Sequence, residues 1–391
     1  MSAPLTDNSG SSGSSGSSGF PSRLRVERMS LADSLDLSAT GDAPFGALGY
    51  GTPAHLHWMP TVDAQVLSLR GAMADVWHAG ESIDSGATGS ARWRSDGEWL
   101  LGAIDLSEAT DKADDEGLSD MSRRAYSDLF KALDEAGTPH LLRIWNYLPR
   151  INGFNDSDNS AAGQATGGTG LERYRQFNFG RQQAFIDAAR PAFDGAPAAC
   201  ALGIRQGALS IRFLAGRKAP VPVENPRQVS AYRYPPTYGP RAPTFSRAAL
   251  AEMGGGDVAL FISGTASIIG HETVHPGDVC EQTRETLRNL AAVVAAANDA
   301  AGKLEAPCDA ARFTVPALDC VIYVRHVDDV VAIRQVIDEV LGGGSHFAAH
   351  AVVLEADICR SDLLVEIEAH AVASGVQGAR HDALPVGSLD A

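Results

Sequence analysis

Two stretches of this chain run through the same order of local patterns: strands, helix, strand, helix, strands. In the first, residues 89–95 and 98–106 read as strands joined at the Ser95-Asp96-Gly97 turn, a hairpin. Ser119 then opens an amphipathic helix in which Met121, Ala125, Leu129 and Leu133 recur every four residues, with Gly137 at the stop. The apolar, aromatic run His140–Tyr147 reads as a buried strand, a second helix is expected from about 171 to 192, and strands follow near 198–205 and 209–215. In the second stretch a strand near 257–264 precedes a helix near 281–299. A strand near 318–325, a helix near 328–341 and strands near 347–356 and 363–368 complete it. Val330, Ile333, Ile337 and Val340 line one face of the 328–341 helix. Such a chain is α+β: two halves of mixed β-sheet backed by helices, forming a weak internal repeat without visible sequence identity.

The length of 391 residues suits two domains. Residues 1–23 carry a Ser/Gly-rich tail with few apolar side chains to offset ordering entropy, and disorder is expected there. The first half spans 24–215, a Pro-rich connector 216–248, the second half 249–373, and a flexible tail 374–391. The Gly/Ser/Asn/Asp-rich segment 153–170 marks a surface loop inside the first half. With 44% apolar and 20% charged residues, the chain can bury a core. A net charge of −16 argues against a nucleic-acid partner and against an anionic membrane surface. No run of 18 or more apolar residues suggests a membrane span, and no basic-then-apolar leader is visible. The five cysteines, Cys200, Cys280, Cys308, Cys320 and Cys359, are odd in number and scattered, which fits a reduced, cytoplasmic protein.

Four segments carry candidate chemistry. His271-Glu272-Thr273-Val274-His275 matches the H-E-x-x-H zinc pattern. That pattern needs a helix, and here β-branched residues and Pro276-Gly277 oppose one, so no metal site is expected. The loop 232–247 holds three tyrosines and three arginines among prolines that restrict its backbone. Arginine forks bind carboxylates bidentately, so the loop suits a small anion, though a connector tied by ordinary salt bridges would look the same. Tyr174 and Arg181 lie seven apart, two turns along one helix face, which a packed Tyr beside a solvated Arg would also explain. In the strand 362–369, Leu364, Glu366 and Glu368 share a face. Facing solvent they are inert; lining a pocket, desolvation makes a Glu a usable general acid.

Five motifs in order, R-I-W-N-Y (143–147), Y-R-Q-F-N-F-G-R (174–181), Y-P-P-T-Y-G-P-R-A-P-T-F-S-R (234–247), L-F-I-S-G-T-A-S-I-I-G-H-E-T-V-H-P-G-D-V (260–279) and D-L-L-V-E-I-E (362–368), resemble the chorismatase family over roughly residues 60–373. The last also resembles the C-terminal strand of reactive-intermediate deaminases, whose chorismate-mutase-like fold chorismatases share. The resemblance implies release of the enolpyruvyl group of chorismate as pyruvate, without a cofactor. It implies Glu366 as general acid toward the methylene carbon, with Tyr174, Arg181, Tyr234 and Arg247 holding the substrate. In an acidic chain, Arg181 and Arg247 would then supply a local positive site for a dianion.

The family divides by product: a dihydroxycyclohexadiene carboxylate, 3-hydroxybenzoate, or 3-hydroxybenzoate with 4-hydroxybenzoate. The hydrolytic type tends to carry Ala where this chain has Gly264 and near Cys359, so these two residues imply a hydroxybenzoate former. Gly would leave room for the ring to shift. The alternatives are the hydrolytic activity, an enamine/imine deaminase suggested by Arg360, and a metabolite-binding module without turnover. The deaminase fold commonly forms trimers, whereas two such halves in one chain allow a monomer.

Overall fold

The computed structural model describes residues 23–37, 44–51, 58–68, 70–80, 82–107, 117–154, 171–302, 304 and 313–374. Most of the 153–170 loop, the first 22 residues and the tail beyond Ser374 lie outside these.

The two halves have one topology. In the first, the hairpin Ala91–Ser95 and Trp99–Leu106 leads through the helix Leu118–Ala136 to the strand His140–Pro149. The helix Arg173–Asp187 then leads to Ala198–Ile204 and Leu209–Gly216. In the second, the hairpin Ala248–Glu252 and Val258–Ala266 leads through Val279–Ala301 to Asp319–Val324. The helix Val330–Leu341 then leads to Val352–Glu355 and Val365–Ala373. In each sheet the last strand sits between the second and third, antiparallel to both, and the third and fourth pair in parallel. The internal repeat expected from the order of elements is thus a repeat of strand order and sense. A sixth strand, Val221–Val223, extends the edge of the second sheet, and Asp357–Ile358 crosses over to pair with Ala198–Ile204 of the first.

The sheets face each other with their helices outside. Between them lies an apolar layer that contains Trp145, Tyr147, Cys200 and Leu202 of one sheet and Ala249, Ala251, Phe261 and Tyr323 of the other. Outside the first sheet, Met121, Ala125, Leu129 and Leu133 are buried as their spacing predicts, and Phe130 meets Phe185 edge-on at 4.8 Å. Such a pair adds about 0.5–1.5 kcal/mol beyond its area. Gly180 makes this packing possible, because a β-carbon there would lie 1.9 Å from the Ser119 carbonyl oxygen. Outside the second sheet, Ile333, Val336 and Ile337 pack on the long helix Val279–Ala301, whose Leu287, Leu290 and Val294 are buried.

Two local expectations need correction, and one sheet has no counterpart among them. The helix after the 153–170 loop ends at Asp187, not near 192, where Ala189 turns to φ 51° ahead of Pro191. Residues 346–350 are a short helix capped by Ser345, whose Oγ accepts from Ala348 N at 3.2 Å, so the strand begins only at Val352. Residues 24–88 gave few local signals, yet Arg25–Ser30, Gly46–Tyr50, Thr61–Val62 and Met73–His78 form a separate four-stranded sheet. Arg28 anchors that sheet, pairing with Asp75 at 2.7 Å and donating to the Cys320 carbonyl oxygen at 2.7 Å.

Candidate active site between the two halves

Glu366 lines a cavity walled by both halves and, unlike Glu172 and Asp362 on the same wall, is buried. The cavity encloses about 250 Å³, near the lower end of the roughly 300–1,000 Å³ usual for small-molecule sites. Tyr174 and Arg175 come from the first-half helix. Tyr234, Tyr238 and Arg247 come from the Pro-rich segment, and Gly264, Cys359, Arg360 and Glu366 from the second half.

The strand Val365–Ala373 alternates strictly at its start. Val365, Ile367 and Ala369 enter the apolar layer beneath the helices, so Glu366, Glu368 and His370 turn toward the first half. Glu366 is 4% exposed. Burial first, and the neighbouring Glu368 second, push its carboxyl up to about 8, against opposing pulls from Arg143 and Arg247. At neutral pH it therefore holds a proton, the form a general acid needs. Its Oε2 accepts from the Cys359 thiol at 3.9 Å. Burial and the Glu366 charge push that thiol well above its ordinary range, so it stays protonated.

A bulge shapes the opposite wall. The pairing of Val258–Ala266 with Val365–Ala373 shifts register between Ile262 and Thr265. There the Ser263 hydroxyl donates to the Ser246 carbonyl oxygen at 2.6 Å and accepts from Ala199 N at 2.9 Å, tying the bulge to the connector and to the first half. The bulge brings Gly264 against the acid: a β-carbon there would lie 2.0 Å from Glu366 Oε1. The space beside Gly264 is thus filled by the carboxyl group, not left open for a substrate ring.

The Pro-rich connector is ordered by arginine–aromatic stacking. Arg247 donates to Tyr234 Oη and to the Val229 carbonyl oxygen, both at 2.8 Å, and stacks on Tyr234 and Phe245. Arg360 lies 4.1 Å over the Tyr238 ring and donates to the His271 carbonyl oxygen at 2.9 Å. Arg247 Nε and Arg360 Nη2, both buried, have no hydrogen-bond partner among the described residues. Two guanidinium groups on the wall of one small cavity suit a ligand with two carboxylates.

Tyr174, Tyr234, Arg247, Gly264, Cys359 and Glu366 thus meet on one cavity. Arg181 does not line it. Seven residues along a helix is a shift of about 10 Å, which carries Arg181 into a nest of Tyr126, Phe177 and Phe185, with ring centroids 5.3–5.9 Å away. Sequence reasoning missed Arg360 and Tyr238 as partners on the wall; the cation–π geometry that joins them has no signature in spacing. The H-E-T-V-H segment forms a turn and a short strand, Glu272–Thr273, with His275 at φ 57°. Its histidines are not one helical turn apart, and His271 instead meets Tyr238 Oη at 3.2 Å.

A larger cavity of about 920 Å³ opens on the first half, beside Trp93, Ser210 and Arg212. When the halves are aligned on Tyr147 and Tyr323, whose hydroxyls meet at 2.9 Å, Ser210 takes the place of Glu366 and Arg212 that of Glu368. The strand that carries the buried Glu366 in one half thus carries Ser210 at the matching position of the other, where the carboxylates on the cavity are Asp63 and Asp105 from other strands and loops.

Residues 75–215 match the family model described as "Chorismatase FkbO/Hyg5-like, N-terminal", and residues 245–373 match "Endoribonuclease L-PSP". The chain is 37% identical over 301 residues to a 3-hydroxybenzoate synthase of Streptomyces hygroscopicus, covering 75% of this chain and 80% of that protein.

The chain belongs to the chorismatase family.

A chorismatase of Streptomyces rapamycinicus is 36% identical over 76% of this chain and 81% of its own length. A crystal structure of a chorismatase superposes with a TM-score of 0.70 at 30% identity, covering 90% of this chain and 98% of the other. The family thus accounts for both halves: the acid, Gly264 and Cys359 lie in the L-PSP-like part, and Tyr174 in the part particular to chorismatases. Among the described residues no helix is long and apolar enough to cross a membrane.

Proposed function

We propose that the chain converts chorismate to 3-hydroxybenzoate and pyruvate, with some 4-hydroxybenzoate as a further product. The observation that carries this reading is Glu366: a buried carboxyl raised to about 8, on a cavity walled by Arg247 and Arg360, in a chain 37% identical to a 3-hydroxybenzoate synthase.

In this reading Arg247 and Arg360 hold the two carboxylates, and Tyr174 and Tyr234 fix the ring. Glu366 gives its proton to the methylene carbon of the enol ether, which becomes the methyl of pyruvate. The resulting cation weakens the bond between ring carbon and ether oxygen. The ring's own hydroxyl attacks that carbon as the bond breaks, and its proton returns to the Glu366 carboxylate. The epoxide so formed rearranges to hydroxybenzoate. Substrate atoms equal product atoms, so neither water nor an electron donor is consumed. Fixed geometry does much of the work, since an intramolecular displacement gains from alignment. Gly264 and Cys359, touching opposite oxygens of Glu366, are assigned to product choice. Arg181, behind the wall, is assigned to shaping the helix that carries Tyr174.

The same reading takes 24–215 and 249–373 as the two domains, 216–248 as the substrate loop, and the cytoplasm as the site of action. The pocket is completed within one chain, which favours a monomer over a trimer. The test is incubation with chorismate and chromatography of the products. 3-Hydroxybenzoate with equimolar pyruvate supports the reading. Pyruvate with a non-aromatic diol would assign the hydrolytic activity, and absence of pyruvate would remove the chorismatase reading.

A further inference from the structure

The buried cluster on the far side of Glu368 has no part in the scheme above. Glu368 lies two residues beyond Glu366 on the same face of its strand, 3% exposed. Three donors converge on its carboxylate: Arg143 Nη2, Trp145 Nε1 at 3.1 Å and Tyr323 Oη at 3.0 Å. Tyr147 Oη backs the last at 2.9 Å. Among the described residues Glu366 receives only the weak thiol of Cys359. Two carboxyls therefore share a desolvated space with unequal partners, and one guanidinium pairs directly with only one of them. Two buried carboxylates so close cannot both ionise cheaply, and the charge settles where the donors are.

We propose that Glu368 is a positioning residue for proton donation: it takes the negative charge of the pair, held by Arg143, Trp145 and Tyr323, and thereby keeps the proton on Glu366. This rests on the general-acid role for Glu366, but its physical content is independent of the substrate. The other titratable groups about Glu366 do not replace it: of the two further carboxylates on the cavity, Glu172 pairs with Arg175 and Asp362 accepts from Thr273. Cys359, Cys200, Tyr174 and Tyr323 are neutral at working pH, and the cations Arg143, Arg247 and Arg360 oppose protonation. The raised carboxyl of Glu366, with Glu368 as its second cause after burial, agrees. The proposal also gives a task to the R-I-W-N-Y segment: Arg143 and Trp145 hold the charge from the facing sheet.

The test is infrared titration of the ligand-free protein, following the band of a protonated buried carboxyl. In the wild type, a band present at pH 7 should vanish in Glu366→Gln. In Glu368→Gln the band should remain assigned to Glu366 but titrate on the order of one pH unit lower or more, about tenfold less protonated above its midpoint. The alkaline limb of kcat should move with it while KM stays within about twofold. An unmoved midpoint would overturn the proposal. Glu368→Gln leaves Arg143 buried and unpaired and could fail to fold. The Glu366→Gln protein then decides alone: its remaining Glu368 should show no protonated band at pH 7, and a band there would overturn the proposal. Because no substrate is present, a failure to turn over chorismate would leave these outcomes readable.

Discussion

Gly264 stands directly against Glu366: a β-carbon built on the glycine would lie 2.0 Å from Oε1 and 2.8 Å from Cδ of the carboxyl group. Cys359 meets the other oxygen. A residue expected to give the substrate ring space instead gives it to the acid. Gly264→Ala must swing the carboxyl out of its present rotamer, because the bulge backbone, tied through Ser263 to Ala199 and Ser246, has little freedom to yield. The expected outcome is slower pyruvate release and a shift from 3-hydroxybenzoate toward the diol. Product ratios by chromatography check it, and an unchanged ratio would show that the position of the carboxyl does not direct the outcome.

Glu366→Gln should cut turnover by roughly 10²–10⁴, the usual weight of a general acid. In the wild type, activity should be level below and fall as pH rises through about 8, where Glu366 loses its proton. Rate–pH profiles check both. Near-normal turnover by the Gln variant would remove Glu366 from the role.

The same raised carboxyl has a cost in stability with a definite sign. Its folded value of about 8 exceeds the ordinary 4.5. Between those two pH values the native state holds a proton that the unfolded chain releases. Its contribution to stability is therefore complete below about pH 4.5 and is lost progressively up to about 8. Glu366→Gln, which has no proton to hold, should gain in melting temperature relative to the wild type as pH rises through that window. Parallel thermal unfolding curves at several pH values check this, and a constant difference would mean that the carboxyl is not perturbed in the folded protein.

Arg360 stacks on Tyr238 on the wall of the cavity. Loss of a charge-assisted hydrogen bond costs about 1.5–3 kcal/mol. Arg360→Gln should accordingly raise KM for chorismate by roughly tenfold or more. Arg360→Lys should not restore it, since an ammonium neither stacks on Tyr238 nor offers a planar fork. Steady-state kinetics check this, and an unchanged KM would take Arg360 out of substrate binding.

Much of this architecture is legible in the sequence, for identifiable reasons. The helix at Leu118–Ala136 announces itself by four-residue spacing and by Gly137, which takes φ 66° at its end. The face shared by Glu366 and Glu368 follows from strand alternation. The sheet at residues 25–78 is not legible because its short strands are stabilised by remote partners, such as Arg28 with Asp75 and Cys320. Arg181 was misplaced because shared helical face says nothing of distance along the axis. Whether Glu366 faced solvent or a pocket depended on the sheet opposite it, which local pattern does not encode. The repeat is visible as an order of elements, while the match of Ser210 with Glu366 at one strand position needs the register of the sheets.

The central claim, that the substrate's own hydroxyl replaces the departing pyruvate, is tested most directly by turnover of chorismate in ¹⁸O-water with mass analysis of the aromatic product. The account predicts 3-hydroxybenzoate carrying no ¹⁸O, formed mole for mole with pyruvate. An ¹⁸O-labelled diol or hydroxybenzoate, or no pyruvate at all, would contradict it.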